Sequence, residues 1–360
     1  MRKLHSTLCL LLLAGSTQLM AQTSEIGGQV FGDYFYVSQH ADSIIDGLAA
    51  FSIRRVYFTF DRKWNDKYSL RVRFEANDAL GEPINYRVES NGTRVSNRLD
   101  AFMKNVFLTI NNVIWHSKLQ LGLIPTLPYA VEENIWELRS VEKTILDLNG
   151  LVPTADFGAS LEGAFRERGR LRYQLMAVNG NGLRNESDNS KRLSTSLLYN
   201  TSNGFMIASY GDYQFRDGEV ANAIRALPNT PARATGELYT LAVFAGLKRS
   251  DFRVGLRLLQ QTTVRQQMVN GVVSTFEPRA RGISGFAVIQ PAPRLGVFGR
   301  FDWFDPNEDL QNDGYSLFIA GLDFSPFETI HFMPNLWSQN YQAAGRASTT
   351  VLRMTFEFKY

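Results

Sequence analysis

The residues best suited to act on a dissolved molecule are charged, and they fall into two groups. The first group is eight arginines that alternate with apolar residues: Arg55, Arg71, Arg73, Arg172, Arg253, Arg257, Arg300 and Arg353. The second group lies between residues 125 and 154 and is mainly acidic: Glu132, Glu133, Glu137, Arg139, Glu142, Lys143 and Asp147. An acidic segment facing a basic surface across water would create a field that orients polar solutes. The alternative is that the two groups only neutralise one another.

Catalytic chemistry has few candidates in this chain. General acid–base and nucleophilic sites commonly place a histidine beside a serine or a carboxylate, and the sequence has four histidines. Only His40, close to Asp42 and Asp46, falls in a long predicted loop. No glycine-rich phosphate loop, paired zinc spacing or calcium-loop pattern rises above chance. We therefore expect no catalytic site, no cofactor and no metal.

The first 22 residues predict a secretory signal peptide. Arg2 and Lys3 precede an apolar run from Leu8 to Ala14, and a polar stretch follows it. Cys9 is the single cysteine and lies inside this segment, so the mature chain from residue 23 has no thiol for a disulfide or a lipid anchor. Loss of Arg2 and Lys3 lowers the formal charge from +3 to +1, and a nucleic-acid partner is not expected.

Hydropathy alternates with a period of two along most of the mature chain. Alternation puts one row of side chains on each face of a strand, so one face here meets an apolar environment and the other meets water. Clear examples are residues 68–77 and the final segment, residues 352–360. Sixteen strands are predicted, near residues 26–38, 50–61, 67–77, 104–111, 117–124, 155–165, 170–179, 191–200, 204–213, 236–248, 251–262, 281–290, 294–304, 314–324, 328–338 and 348–360.

The connections between these strands alternate in length. Short turns such as residues 64–66 and 201–203 follow even-numbered strands, and longer polar connections follow odd-numbered ones. After the signal peptide no apolar run approaches the roughly 18 residues of a membrane helix. An even strand count with short turns at one end predicts an all-β fold, a 16-stranded antiparallel transmembrane β-barrel. A soluble sandwich is disfavoured because charged residues line one face of nearly every strand. One domain, residues 23–360, accounts for the mature chain.

The longest connection, residues 125–154, has a helical period. Apolar residues recur at spacings of three or four, which predicts one helix from Glu132 to Asn149: Val131, Ile135, Leu138, Val141, Ile145 and Leu148. Asn134 with Glu137 three residues later is a candidate capping pair, and Asn149 with Gly150 supplies a stop.

The end of the chain and several internal segments resemble bacterial porins. Phe356, Phe358 and Tyr360 end the last strand, and this is similar to the signal by which outer-membrane barrels are recognised by the barrel-assembly machinery. Residues 51–57 and 74–78, together with residues 139–144 and 155–158, resemble the phosphate-selective porin O and P family.

That resemblance implies a sixteen-stranded channel, usually trimeric, whose third long loop folds into the lumen. It also implies a ladder of arginines to which Arg55, Arg71 and Arg73 would belong, and a lysine cluster. The lysines of this chain are instead scattered singly. We therefore expect the helix of residues 132–149 inside the barrel, with a lid resting on the rim as the alternative.

Together these observations predict an outer-membrane passive channel for small hydrophilic solutes. We expect a weak anion preference, for phosphate or other small anions, without high-affinity phosphate capture. The expected partners are outer-membrane lipid, the barrel-assembly machinery, small hydrophilic or anionic solutes and further copies of the chain in a homotrimer. A barrel enzyme and a closed structural or adhesive barrel are the alternatives, and ion conduction would separate the last from a channel.

Overall fold

The structure is a computed structural model that describes residues 22–78, 87–88, 94–95, 99–166, 169–186, 189–215, 232–269 and 272–360. The predicted signal peptide lies outside the described residues except for Gln22, so its assignment stays a prediction. In the described part of the chain, no helix is long and apolar enough to cross a membrane.

Sixteen antiparallel strands form one closed sheet, in which each strand pairs with its neighbours in the chain. They are β1 (Thr23–Gln39), β2 (Ala49–Lys63), β3 (Tyr68–Asp78), β4 (Leu99–Asn111), β5 (Lys118–Pro125), β6 (Ala155–Ala164), β7 (Leu171–Val178), β8 (Lys191–Asn200), β9 (Phe205–Phe215), β10 (Ala232–Lys248), β11 (Phe252–Val269), β12 (Arg279–Ala292), β13 (Leu295–Asp305), β14 (Tyr315–Phe327), β15 (Ile330–Tyr341) and β16 (Thr349–Lys359). β1 pairs with both β2 and β16, which closes the ring.

Three short strands complete the set. Val272–Phe276 pairs with the C-terminal end of β11, and Arg87–Val88 pairs with Arg94–Val95. The predicted all-β barrel of sixteen strands is confirmed, and every predicted segment overlaps one strand. β11 runs to Val269, beyond the predicted end at residue 262, because backbone pairing with β10 continues where the apolar alternation stops.

The two faces of the barrel differ as the alternation predicts. On β16, Leu352 and Met354 are 50% and 44% exposed, whereas Val351, Arg353 and Thr355 are buried. The exposed row forms the apolar outer face, since a barrel must present apolar side chains to lipid. Arg353 and Thr355 belong to the buried row, so the inner face carries the polar and charged groups.

Residues 126–154, which we call the inner loop, pack against the inner face of the barrel. Ile135 and Trp136 form a buried apolar cluster with Phe244, Phe286 and Trp337 of the wall. Phe244 is fully buried while its neighbour in β10, Val243, is 44% exposed. The wall residues of this cluster therefore point inward, and the inner loop lies inside the barrel rather than on its rim.

A second buried apolar cluster lies on another side of the inner loop. Ile145 and Leu146 pack there with Met176, Leu259 and Phe304. Burial of aliphatic and aromatic side chains on both sides stabilises the inner loop, at about 1.5–3 kcal/mol for each large side chain fully removed from water. A large part of the barrel interior is consequently a packed core.

Two β-bulges turn additional basic residues toward the interior. In β2, Arg54 is skipped in the pairing with β1, so that Arg54 and Arg55 both lie on the inner side. In β4, Lys104 is skipped in the pairing with β3 and also reaches an inward-facing carboxylate, that of Glu75. A bulge inserts one residue and breaks strict alternation, which is why simple parity does not find these two side chains.

Candidate functional site

The inner loop contains two short helices, so the prediction of a single helix from Glu132 to Asn149 is wrong. The helices are α1 (Ala130–Trp136) and α2 (Ile145–Leu148). Glu137 has a left-handed backbone, φ 57°, that ends α1. The predicted capping pair of Asn134 and Glu137 is also wrong, because Asn134 lies in the middle of α1 and Glu137 follows its end. The predicted stop agrees with the structure, since Asn149 caps α2 and Gly150 follows with φ 61°.

The helix is interrupted because side chains bind the backbone carbonyls of residues 140–143. A continuous helix needs each carbonyl for the amide four residues later. Here four carbonyls in a row accept hydrogen bonds from side chains, three of which come from the barrel wall. The bonds are Arg54 Nη2 to Ser140 O, Arg353 Nη1 to Val141 O at 3.3 Å, Trp136 Nε1 to Glu142 O at 3.1 Å and Arg300 Nη1 to Lys143 O at 2.5 Å.

A buried ion pair fixes α1 to β11. Arg257 Nε lies 2.8 Å from Glu132 Oε2, and both side chains are 2% exposed. Arg257 Nη2 also donates to the carbonyl of Pro128 at 2.9 Å, and its guanidinium lies 5.1 Å from the Phe244 ring centroid. Arg257 therefore holds the start of the inner loop against the wall.

Three other predicted pore arginines also contact the inner loop or a carboxylate beside it. Arg253 Nη1 lies 3.1 Å from Glu137 Oε2. Arg300 binds both carboxylate oxygens of Asp302, and Arg353 Nη1 lies 3.8 Å from Glu142 Oε2. Arg257, Arg300 and Arg353 are all buried. This differs from the prediction that they face open water, because the inner loop covers them.

The remaining charges of the inner loop form a cluster of their own. Arg139 Nη1 lies 2.7 Å from Glu133 Oε1 and 2.6 Å from Asp147 Oδ2. Burial acts to raise the pKa of Asp147, but the charge of Arg139 outweighs it and the pKa lies below the usual range. Burial raises the pKa of Glu133 despite the same arginine. Glu133 and Asp147 are therefore compensated by Arg139 within the inner loop itself.

The inner wall formed by β2, β3 and β4 carries further ion pairs. The Glu75 carboxylate forms ion pairs with Arg55 Nε and Lys104 Nζ, each at 3.1 Å. Arg71 makes two bonds of 2.8 Å to the carboxylate of Asp61. Lys104 was missed at the level of sequence, as was Arg54, because each occupies a bulge. Neighbouring carboxylates on the paired strand are the signal that could have located them.

The last two predicted pore arginines differ in their partners. Arg172 pairs with Glu162 near the turn end of β6 and β7. Arg73 donates from Nε to Thr59 Oγ1 at 2.8 Å, and its guanidinium lies 5.4 Å from the Tyr57 ring centroid. Most of the predicted basic wall is thus neutralised, which favours mutual neutralisation over a field between an acidic loop and a basic wall.

His40, the histidine that the sequence places in a long loop, makes a local contact. His40 Nδ1 accepts the backbone N–H of Asp42 at 2.9 Å, which is a local bond within an exposed loop. Among the described residues, no three histidine, cysteine or carboxylate side chains converge as metal ligands would.

The C-terminal aromatic residues lie where the barrel closes. Phe356 and Phe358 stack with ring centroids 5.6 Å apart, and Tyr360 is 63% exposed. The backbone of Tyr360 exchanges two hydrogen bonds with that of Gly28, which extends the β1–β16 pairing to the last residue. A role for these rings in recognition by the assembly machinery stays a prediction.

No family model and no curated protein matches this sequence. The resemblance to the phosphate-selective porin O and P family is therefore not confirmed. Solved structures of porins do match over nearly the whole chain. The anion-selective porin from Comamonas acidovorans is 10% identical with a TM-score of 0.63, and the match covers 94% of this chain and 100% of that one.

Two further structures match the same share of this chain. The trimer form of OmpT, an outer-membrane protein of Vibrio cholerae, is 8% identical with a TM-score of 0.59 over 94% of this chain and 100% of its own. The outer-membrane channel DcaP of Acinetobacter baumannii is 10% identical with a TM-score of 0.59 over 94% and 97%. At such low identity the similarity establishes the fold, and this chain has the sixteen-stranded barrel fold of the bacterial porins.

Proposed function

We propose that the protein is an outer-membrane passive channel for small hydrophilic solutes with a weak anion preference. The observation that carries the proposal is a closed barrel with an apolar outer face and a charged inner face. Such a distribution suits a barrel surrounded by lipid that encloses water. The porin fold of the similar structures supports the same conclusion by analogy.

The inner wall of β1 to β5 offers the pathway for solutes. Two cavities, of about 310 and 420 Å³, lie along it, and both are lined by Glu25, Asp61 and Arg71. The two apolar clusters fill much of the rest of the interior. A pathway beside the inner loop restricts passage to small solutes, and its paired charges allow only modest discrimination between ions.

The location and partners follow from the same proposal. Cleavage of the signal peptide would release residues 23–360 for insertion, with Phe356, Phe358 and Tyr360 read by the barrel-assembly machinery. A homotrimer is supported by analogy with the trimer form of the similar OmpT structure. The apolar outer face would contact outer-membrane lipid and neighbouring copies.

Conductance in planar bilayers tests the proposal directly. We expect stepwise current increments and, in a salt gradient, a reversal potential slightly on the anion side. Replacing Arg71 and Arg73 together by serine should move that potential toward cations, because two positive charges leave the pathway. A protein that inserts but never conducts would be a structural barrel, and block of chloride current by micromolar phosphate would contradict the weak preference.

A further inference from the structure

Three neighbouring turns lie at the end of the barrel that has the short connections. They are residues 64–67 between β2 and β3, residues 112–117 between β4 and β5, and residues 165–170 between β6 and β7. Residues of all three turns line one cavity of about 430 Å³, so the turns lie side by side. Short turns of outer-membrane barrels are periplasmic, which places these three on the periplasmic rim.

Each of the three turns carries an exposed aromatic side chain. Trp64 is 37% exposed, Trp115 is 88% exposed and Phe165 is 62% exposed. The other short turns contain no aromatic residue; they are residues 201–204, 249–251, 293–294 and 328–329. A general aromatic belt would surround the barrel, whereas these three side chains occupy one sector of its rim.

The tip of the middle turn is apolar and rigid. Val113, Ile114 and Trp115 are consecutive and exposed. The buried Ser117 holds the turn together, because its Oγ accepts the N–H of Ile114 at 3.0 Å and its own N–H donates to the carbonyl of Ile114 at 2.9 Å. Trp115 and His116 have a left-handed backbone, with φ of 30° and 56°. Such angles are unfavourable for residues with a side chain, so the fold maintains an exposed apolar tip at a conformational cost.

The same sector of the rim is basic. Lys67, Arg166 and Arg170 are exposed, and in the described part of the chain none of them has a carboxylate within 4 Å, since Asp66 pairs with Lys63 at 2.6 Å. By sequence, the three turns hold four basic and two acidic residues, which gives a formal charge of +2. Basic residues beside a membrane attract anionic lipid headgroups.

The position of the apolar tip matches the headgroup layer of a bilayer. Ile110 and Leu119 are register partners one residue inside the ends of β4 and β5, and they belong to the apolar outer row. The bonds between Ile114 and Ser117 fold the turn back, so the tip projects less than the roughly 10 Å that three extended residues would span. The headgroup layer on each side of a bilayer is about 5–8 Å thick, so the tip reaches this layer.

We propose that these three turns form a binding surface for anionic phospholipids of the periplasmic leaflet. Ile114 and Trp115 would insert at the boundary between headgroups and acyl chains, where indole rings are favoured. Lys67, Arg166 and Arg170 would bind the lipid phosphates. The surface requires that the barrel lies in a membrane, and it does not require that the barrel conducts.

Spin labelling locates the tip, because the mature chain from residue 23 has no cysteine of its own. A nitroxide on Ile114→Cys should be accessible to oxygen and protected from a neutral nickel chelate when the purified barrel is inserted in vesicles of phosphatidylcholine and phosphatidylglycerol. Ser202→Cys, exposed in a polar turn at the same end, is the matched control and should stay accessible to nickel. Equal nickel accessibility at the two positions overturns the proposal and favours a soluble protein partner. Spin–spin broadening between labels at residue 114 of neighbouring copies also overturns it, because a second copy would then cover the tip.

Native mass spectrometry of the protein released from these vesicles tests the charge. Arg166→Ser with Arg170→Ser should lower the ratio of bound phosphatidylglycerol to bound phosphatidylcholine at least about fivefold, because each basic residue near an anionic surface contributes roughly a factor of five. Arg249→Ser with Arg294→Asn removes two exposed arginines from turns without aromatic residues and should leave the ratio unchanged. Equal losses in the two double variants would contradict a defined surface. Both measurements succeed or fail independently of conductance.

Discussion

Removing Glu132 should release the inner loop while leaving the barrel closed. Its carboxylate is the ionic partner of Arg257 at 2.8 Å in a site where both side chains are 2% exposed. Glu132→Leu would leave the guanidinium buried with only the Pro128 carbonyl and the face of Phe244 as neighbours. The strands pair independently of this contact, so the effect falls on the inner loop.

The expected size of the effect follows from the burial of the pair. Removing one partner of a buried ion pair costs about 3–5 kcal/mol, because the other charge stays desolvated and unpaired. A tenfold change in an equilibrium constant corresponds to about 1.4 kcal/mol, so the equilibrium constant for opening the inner loop rises by roughly two to three and a half powers of ten. Glu132→Leu combined with Arg257→Met removes both charges and should recover most of the loss.

Limited trypsin digestion reports opening of the inner loop, since Arg139 and Lys143 are its cleavage sites. When opening is fast relative to cleavage, the cleavage rate follows the open population. Glu132→Leu should therefore be cut at least about a hundredfold faster, and the double variant close to the unmodified rate. Asp66→Asn, in an exposed pair with Lys63, is the control and should change nothing. A double variant cut as fast as Glu132→Leu would refute the reasoning.

Three further predictions concern deletion of the inner loop, the β1–β16 pairing that closes the barrel, and the effect of low pH. Deleting residues 132–149 should raise single-channel conductance of a barrel that still folds, because the strands close without it; unchanged conductance would mean that the loop does not narrow the pathway. Gly28→Ala should lower the yield of folded barrel, since a Cβ there would meet the Tyr360 ring and lie 2.5 Å from a backbone oxygen; Gly285→Ala, whose nearest neighbour is 3.8 Å away, should fold normally. Lowering the pH below the usual aspartate range, where Glu133 is already protonated, should speed cleavage of the inner loop by an acid protease. The pKa of Asp147 is depressed in the folded protein, so its stabilising contribution is present above the usual aspartate range and is lost as the pH falls through the folded value; Asp147→Asn should weaken this pH dependence.

The strands were predictable because a lipid-exposed barrel imposes the same two-residue period on every segment. The observed bounds of β8, Lys191–Asn200, coincide with the predicted ones. Parity alone could not identify inward apolar residues, however. Phe244 and Trp337 face the interior and pack on the inner loop, whereas hydropathy alternation assigns apolar residues of a strand to the lipid face. Only tertiary contacts distinguish an internal core from the outer surface.

The site was less predictable, for two physical reasons. Arg54 and Lys104 lie in bulges, which shift parity by one residue and leave no periodic trace. The apolar stripe from Val131 to Leu148 is real, but its central carbonyls bind the guanidinium groups of Arg54, Arg300 and Arg353 from distant strands. Local periodicity cannot register such bonds, so it predicted one helix where the structure has two.

The arginine bonds to the inner loop also bear on how the chain ends find each other. The β1–β16 seam joins residues that are distant in sequence, such as Asp33 and Thr355, which are 322 positions apart. Arg54 and Arg353, from either side of the seam, bind the successive carbonyls of Ser140 and Val141, at separations of 86 and 212 residues. Once both bonds to the inner loop have formed, the free chain that the final closing step must order is shorter, so that step costs less entropy. We infer that the inner loop holds the two ends of the sheet close together during barrel folding. A chain with Arg54→Met and Arg353→Met should therefore form the β1–β16 pairing more slowly, although every strand is intact.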